Sequence, residues 1–379
     1  MTVDFYPYNT DGGPGNMPSL ESHSIDQDYI ASASLEAFGL MQITFQGAFE
    51  NCGDAAVESH YIFAGLPVRI RVVGLRLAEY TLSPFSHLRT DHKNSDILNL
   101  TIDFWDESET GIPCPIGLPV SDLGLYRTVT ASSDSRFLSD RDWRILMLLD
   151  RETRHAIGSF RSLERFLMAD RARPFNRLLG LWYRDRGVHV IHSAMVSRNG
   201  NGVIFVGKGG SGKSTSALAC VCAGLYYLGD DFIGLQEQSD GSFLGYSLYN
   251  SSLLDPDHLV CFPRLVPYAI DSGSAEDPKS LILISHAFPE RLRRFARIRA
   301  VVIPCVVSAA HPRIRPASKG EALLALAPSS LRLQINPGSR ELDQLARLVN
   351  RVPCYWLGLG ENVDEIPQCI EELIEGIES

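Results

Sequence analysis

None of the chain's eight cysteines, at positions 52, 114, 220, 222, 261, 305, 354 and 369, forms a Cys-x-x-Cys pair, which excludes the usual spacing of a zinc or dithiol site. They are expected to be buried or partly buried thiols in a reducing compartment. Cys220 and Cys222 fall in an expected helix, where side chains two positions apart project about 200° from each other, so that pair is not a chelate. Positive charge is also scarce: 35 Lys and Arg against 45 Asp and Glu leave a net charge of −10, which argues against a general nucleic-acid-binding surface. The two local exceptions, Arg291 to Arg297 and Arg161 to Arg173, have the pattern of solvated helix faces. No apolar run approaches the length that spans a bilayer. The start, Met1-Thr-Val-Asp-Phe-Tyr-Pro, lacks the basic residues and apolar stretch of a signal peptide, so a cytoplasmic protein without a membrane partner is expected. Internal repeats and low-complexity tracts are missing too. What remains, at 45% hydrophobic and 21% charged residues over 379 positions, is a globular chain long enough for two domains.

Residues 1–28 hold few large apolar groups and are expected to be a flexible lead-in. From 29 to 139 short alternating runs, such as Val68-Arg-Ile-Arg-Val-Val73 and Ile97 to Phe104, indicate a small strand-rich N-terminal domain. Over 140–182 the apolar residues Trp143, Ile145, Leu146, Leu149, Phe160, Leu163, Phe166 and Leu167 recur at helical spacing and predict a helical connector. The remainder, 183–379, alternates strand and helix signals. Val188 to Val196 and Val203 to Val206 are strands joined by a turn at Arg198-Asn-Gly-Asn-Gly202, a helix runs from Lys213 to Ala223 and stops at Gly224, and Leu225 to Leu228 is a short strand. Later strands are expected at 243–248, 299–304 and 352–357, and a final amphipathic helix at 366–377.

The most informative segment is Gly207-Lys208-Gly209-Gly210-Ser211-Gly212-Lys213-Ser214, followed by Thr215. It is a complete nucleotide phosphate-binding loop, a pattern that arises by accident on the order of once in a hundred chains of this length. Glycines let the backbone wrap and aim N–H groups at phosphate oxygens, and the following helix adds its positive dipole end. Lys213 can reach the β- and γ-phosphates of ATP, and the Ser214 hydroxyl can coordinate Mg²⁺.

Such a loop is shared by kinases, GTPases and transport ATPases, so the accompanying carboxylates discriminate. Asp230 and Asp231 follow Lys213 by seventeen and eighteen positions. No long apolar strand ends in Asp-Glu, no Leu-Ser-Gly-Gly-Gln is present, and no Asn-Lys-x-Asp offers a guanine site. Two adjacent Asp at a strand end would place one on Mg²⁺ and leave one to take a proton from an attacking hydroxyl; strand alternation, which sends neighbours to opposite faces, supports that split. His192, on the strand before the turn, could orient the carboxylates or contact phosphate. Lys279 and Arg299 are candidate cations for the γ-phosphate, and Tyr246, Tyr249 and Trp356 could flank adenine or a peptide but fit core or rim positions better.

Val190-Ile-His-Ser-Ala-Met-Val196, the loop from Gly207 to Ser214, and Leu228-Gly-Asp-Asp231 together resemble the catalytic domain of the HPr serine kinase/phosphorylase family. The shorter HPr-kinase-related proteins of peptide natural-product pathways, among them lasso-peptide kinases, are more similar still. The resemblance covers roughly residues 175 to 379 and implies an α/β fold, a P-loop kinase domain of the HPr kinase/phosphoenolpyruvate carboxykinase-like type, with ATP and Mg²⁺ at the loop. By motif position it implies that Lys213 holds the β/γ-phosphates, Ser214 and Asp230 serve the metal, Asp231 accepts the proton and His192 matches the family's histidine, with the order of the two Asp roles open. The downstream glutamate-containing Mg²⁺ segment and the Glu-x-Arg-Gly signature have no counterpart, which speaks against HPr as substrate and against the phosphorylase reaction. That family forms hexamers, and a homo-oligomer is left open.

The expectation is an ATP-dependent phosphotransferase acting on a Ser or Thr hydroxyl of a peptide or small protein, with no nucleic-acid partner. Two alternatives remain: a kinase of small hydroxylated metabolites, and a regulatory module that binds ATP without transferring phosphate.

Overall fold

The computed structural model describes residues 3–4, 27–91, 98–116, 128–131, 136–141, 144–163, 166–271, 279–334 and 337–378. Apart from residues 3–4 and 27–28, the expected lead-in lies outside them. The protein is mixed α/β, with several sheets and helices in two compact units: residues 1–61, 67–79 and 90–166 in one, and 62–66, 80–89 and 167–379 in the other.

Most of the first unit is one eight-stranded sheet. In chain order its elements are β1 (Val3–Asp4), α1 (Gln27–Asn51), β2 (Ala56–Phe63), β3 (Leu66–Val73), α2 (Leu75–Leu82), β4 (Leu100–Asp106), α3 (Glu107–Thr110), β5 (Thr128–Ala131), β6 (Phe137–Arg141), β7 (Ile145–Asp150) and β8 (His155–Phe160). The strand order is β1-β5-β6-β7-β8-β4-β3-β2, with β3, β4 and β8 parallel.

Residues 29–139 are rich in strands but not strands alone, because the 25-residue helix α1 lays Phe38, Met41, Phe45 and Ala48 on Val73, Trp105, Leu146, Leu148 and Ile157. Gly39, Gly47 and Thr44 depress helix propensity there and blunt the signal of the apolar face. Nor are residues 140–182 a helical connector. Ile145–Asp150 is a strand buried at every position, and such a run carries neither alternation nor true helical spacing, so Ile145, Leu146 and Leu149 fit both patterns. Among the described residues of this stretch, α-helices appear only at α4 (Met168–Ala172) and α5 (Asn176–Arg184); Trp143 lies outside the described residues.

The second unit continues with β9 (His189–Arg198), β10 (Asn201–Val206), α6 (Lys213–Ala223), β11 (Tyr226–Gly229), β12 (Phe232–Glu237), β13 (Phe243–Ser247), β14 (Ser251–Leu254), α7 (Pro256–Leu259), β15 (Ala269–Ile270) and β16 (Ser280–Leu283). It ends with α8 (Ile284–Ala287), β17 (Phe295–Val306), β18 (Arg313–Pro316), α9 (Lys319–Arg332), α10 (Ser339–Arg351), β19 (Cys354–Leu359) and α11 (Ile366–Glu378). β10 runs antiparallel to β9, with Val203 opposite Val196, and parallel to β17, with Phe205 opposite Val302. The far side of β9 takes β11 and β12, while the far side of β17 takes β13 and then β19. β14, β16 and β15 form a separate antiparallel sheet.

Alternation sorts the core. Val203 and Phe205 face α6 and α11, whereas Ile204 and Val206 face Leu326 of α9 and Leu345 and Leu348 of α10. β10 is thus buried on both faces between helical layers, which is why its sequence is an unbroken apolar run. The basic stretch 291–297 is no helix face: Arg291 donates to the Gly224 carbonyl at 2.6 Å, Arg294 to those of His87 and Arg89 at 3.3 and 2.8 Å, and Arg297 pairs with Asp240. Among the described residues, no helix is long and apolar enough to cross a membrane.

Candidate active site

From the end of β10 the chain turns through Gly207 to Gly212 directly into α6. Gly212 has φ +100°, and a Cβ there would lie 2.1 Å from Leu359 Cδ1, so only glycine permits both the turn and its seat against β19. Gly207, at φ +148°, approaches Ser211 less closely: a Cβ would meet Ser211 Oγ at 2.7 Å. Lys208, Gly209 and Gly210 form the exposed rim. Lys213 opens the helix in a buried position and donates from Nζ to the carbonyls of Gly207 at 2.9 Å and Lys208 at 3.1 Å. Burial lowers the pKa of its ammonium, and the charges of Asp231 and Asp230 oppose that effect.

Asp230 and Asp231 occupy the bend between β11 and β12, outside both strands. Asp231 has φ +69°, a left-handed conformation that Asp tolerates better than most residues. Strand alternation therefore does not apply to the pair, and their difference comes from partners instead. Asp230 is 4% exposed and accepts hydrogen bonds from Ser214 Oγ at 3.0 Å and Ser252 Oγ at 2.6 Å. Asp231, 26% exposed, is ion-paired through Oδ2 with Arg173 Nη1 and lies 3.3 Å through Oδ1 from His192 Nε2.

These surroundings drive the two carboxyls apart. Burial, and after it the charge of Asp231, push Asp230 up to about 6 in spite of the two hydroxyls and Lys213. Burial would raise Asp231 as well, but the Arg173 guanidinium and His192 outweigh it and hold Asp231 well below the usual carboxylate range. One site thus holds a reluctant anion and a committed one, a separation that marks groups with different tasks.

His192, Lys213, Ser214, Asp230 and Asp231 all converge here. Thr215 sits half-buried in the first turn of α6. Lys279, exposed just before β16, is near enough for its charge to disfavour the Lys213 ammonium. Arg299 is not brought to the site. It lies on β17 beside the start of β10, roughly 10 Å of strand before the loop, and donates to the Ile377 carbonyl at 3.2 Å. Tyr246 donates to Gln236, Tyr249 is buried and donates to the Pro174 carbonyl at 3.1 Å, and Trp356 packs on the α9 side of the sheet under Arg315.

Two residues of the site were not singled out from the sequence. Ser252 carries no motif. Arg173 closes the basic run assigned above to a solvated face, yet it is 8% exposed, with its guanidinium 5.0 Å from the Phe232 ring; the Pro after it, which prevents helix continuation, is the one local hint.

The residues fit a Mg²⁺-bound nucleoside triphosphate. The loop glycines leave room where a Cβ would intrude, Ser211 Oγ is buried without a hydrogen-bond partner inside the loop, and Ser214 with Asp230 supplies two hard oxygens. Among the described residues no group of three or more His, Cys, Asp or Glu could hold a metal ion.

No family model matches the chain, and no curated protein matches it. Among solved structures it is similar to the HPr(Ser) kinase/phosphatase from Coxiella burnetii, at 15% identity and a TM-score of 0.27, over 50% of this chain and 96% of that one, a likeness too slight to carry an argument.

Proposed function

We infer that this chain is an ATP- and Mg²⁺-dependent kinase that moves a γ-phosphoryl group to a Ser or Thr hydroxyl of a peptide or small protein. The observation that carries this is the placement of two carboxylates of opposite character beside Lys213, one bonded to the Ser214 hydroxyl and one held ionised by Arg173 and His192. A module that only binds nucleotide has no use for the second.

Ser214 and Asp230 would hold Mg²⁺, which neutralises charge on the phosphates when bound. Lys213 contributes a buried cation for the oxygens over which charge spreads, and Lys279 a second at the rim. Asp231 is the acceptor for the hydroxyl proton. The acceptor oxygen bonds to the γ-phosphorus as the bond to the β,γ-bridging oxygen breaks, the proton passes to the Asp231 carboxylate, and ADP leaves.

The test is mass spectrometry of Ser- and Thr-containing peptides after incubation with the protein, ATP and Mg²⁺. Addition of one phosphate, lost in Lys213→Ala, is the expected result. Thermal stabilisation by Mg·ATP without ADP formation or peptide phosphorylation would overturn the kinase assignment in favour of a binding module.

A further inference from the structure

Arg173 stands in the site with more support than its ion pair needs. The carbonyl before it, on Ala172, accepts from Ser251 Oγ at 2.5 Å, and the one after it, on Pro174, accepts from the buried Tyr249 hydroxyl at 3.1 Å. The next residue along, Ser252, holds Asp230. One short segment, Tyr249 to Ser252, therefore fixes the arginine and the metal-side carboxylate in a single register.

Asn250, between them, is anchored in turn: its side chain donates to the carbonyls of Ser83 and Pro84 at 2.9 and 3.0 Å, and its own carbonyl accepts from Ile284 N at 2.8 Å. Behind Arg173 the backbone is strained, since Phe175, bulky and buried, sits at φ +57°. Strain of this kind costs of order 1–3 kcal/mol and persists where surrounding structure over-determines it, commonly at functional sites.

We propose that Arg173 is a positioning residue for phosphoryl transfer, which with His192 clamps the Asp231 carboxylate so that its remaining lone pairs point at the acceptor hydroxyl; this rests on the kinase assignment above. Arg173 grips Oδ2 and His192 faces Oδ1, so the carboxylate is held at both oxygens and cannot rotate. Such a clamp acts on the transfer step and leaves ATP binding alone, because Lys213 and Ser214 contact the loop side. An error of about 1 Å in a catalytic group costs on the order of 10² in rate.

The experiment measures ADP formation with Mg·ATP and a degenerate library of Ser- and Thr-containing peptides, for wild type, Arg173→Ala and Arg173→Lys. Arg173→Ala should lower kcat on the order of 10²-fold with KM for ATP within about threefold, and added guanidinium ion should restore about tenfold of the loss. Arg173→Lys, which keeps the charge but not the fork, should fall between, and it keeps the test alive if the alanine variant does not fold. Unchanged kcat, a rise in KM alone, or a loss that neither lysine nor guanidinium relieves overturns the positioning role. A wild type that forms no ADP overturns the kinase assignment and this role with it, and is told apart from the other failures because wild type alone shows it.

Discussion

Asp230→Asn should make the metal-free protein more stable while removing its Mg²⁺-dependent activity. The Asp230 carboxyl is buried and pushed up to about 6, against about 3.9 in an unfolded chain. The folded state therefore keeps a proton that the unfolded state has released between those values, and stability falls as pH rises through that window. About two units at 1.36 kcal/mol each give roughly 3 kcal/mol lost by pH 7. Asparagine has the shape of the neutral acid: its oxygen can accept from Ser252 or Ser214 and its amide can donate to the other hydroxyl, so the contacts survive and the buried charge does not. For a domain of this size that gain corresponds to roughly 5–10 °C in Tm. Asp231 has the opposite sign, since its depressed value stabilises the fold above about pH 4, but it is present in both proteins and largely cancels. The assay is thermal unfolding by circular dichroism in chelator-containing buffer across this pH range. The two melting temperatures should coincide near pH 4, separate as pH rises to about 6, and stay apart above it. A separation that does not depend on pH, or a variant less stable than wild type at pH 7, would refute the assignment of Asp230 as a strained anion.

The same carboxyl must be ionised to hold a metal, so Mg·ATP affinity measured by calorimetry should fall as pH drops below about 6, a limb that Asp230→Asn should lack. Gly212→Ala puts a methyl 2.1 Å from Leu359 Cδ1 at φ +100°, which should destabilise the protein by about 1–3 kcal/mol and abolish ATP-dependent thermal protection; normal protection would show that the loop tolerates a Cβ. Ser252→Ala strips Asp230 Oδ2 of its 2.6 Å donor, so it should cost about 1–3 kcal/mol at pH 7 and less at pH 4, where the carboxyl is neutral; a pH-independent loss in chemical denaturation would point to packing alone.

What the sequence made legible was local. The loop, the helix from Lys213 to Ala223 and the Asp pair occupy about two dozen consecutive residues in which turn glycines, an apolar run and a helix stop each leave a mark. His192 could be placed because β9 is joined to β10 by a two-residue turn at Asn199-Gly200. Arg173 and Ser252 reach the site by tertiary packing, fifty-eight residues before Asp231 and twenty-two after Asp230, and no spacing rule connects them.

The failures in the first unit have a related cause. A strand buried on both faces loses the alternation that identifies it, as Ile145–Asp150 does, and an amphipathic helix interrupted by glycines loses the propensity that supports its period, as α1 does. Arg299 failed for a third reason. It stands just before an apolar strand in the sequence, but parallel pairing with β10 puts the loop at the other end of β17, where Pro304 rather than Arg299 approaches Gly212. In a parallel sheet the end at which a residue stands decides whether it can serve a site, and that end follows from pairing that one strand's sequence does not contain.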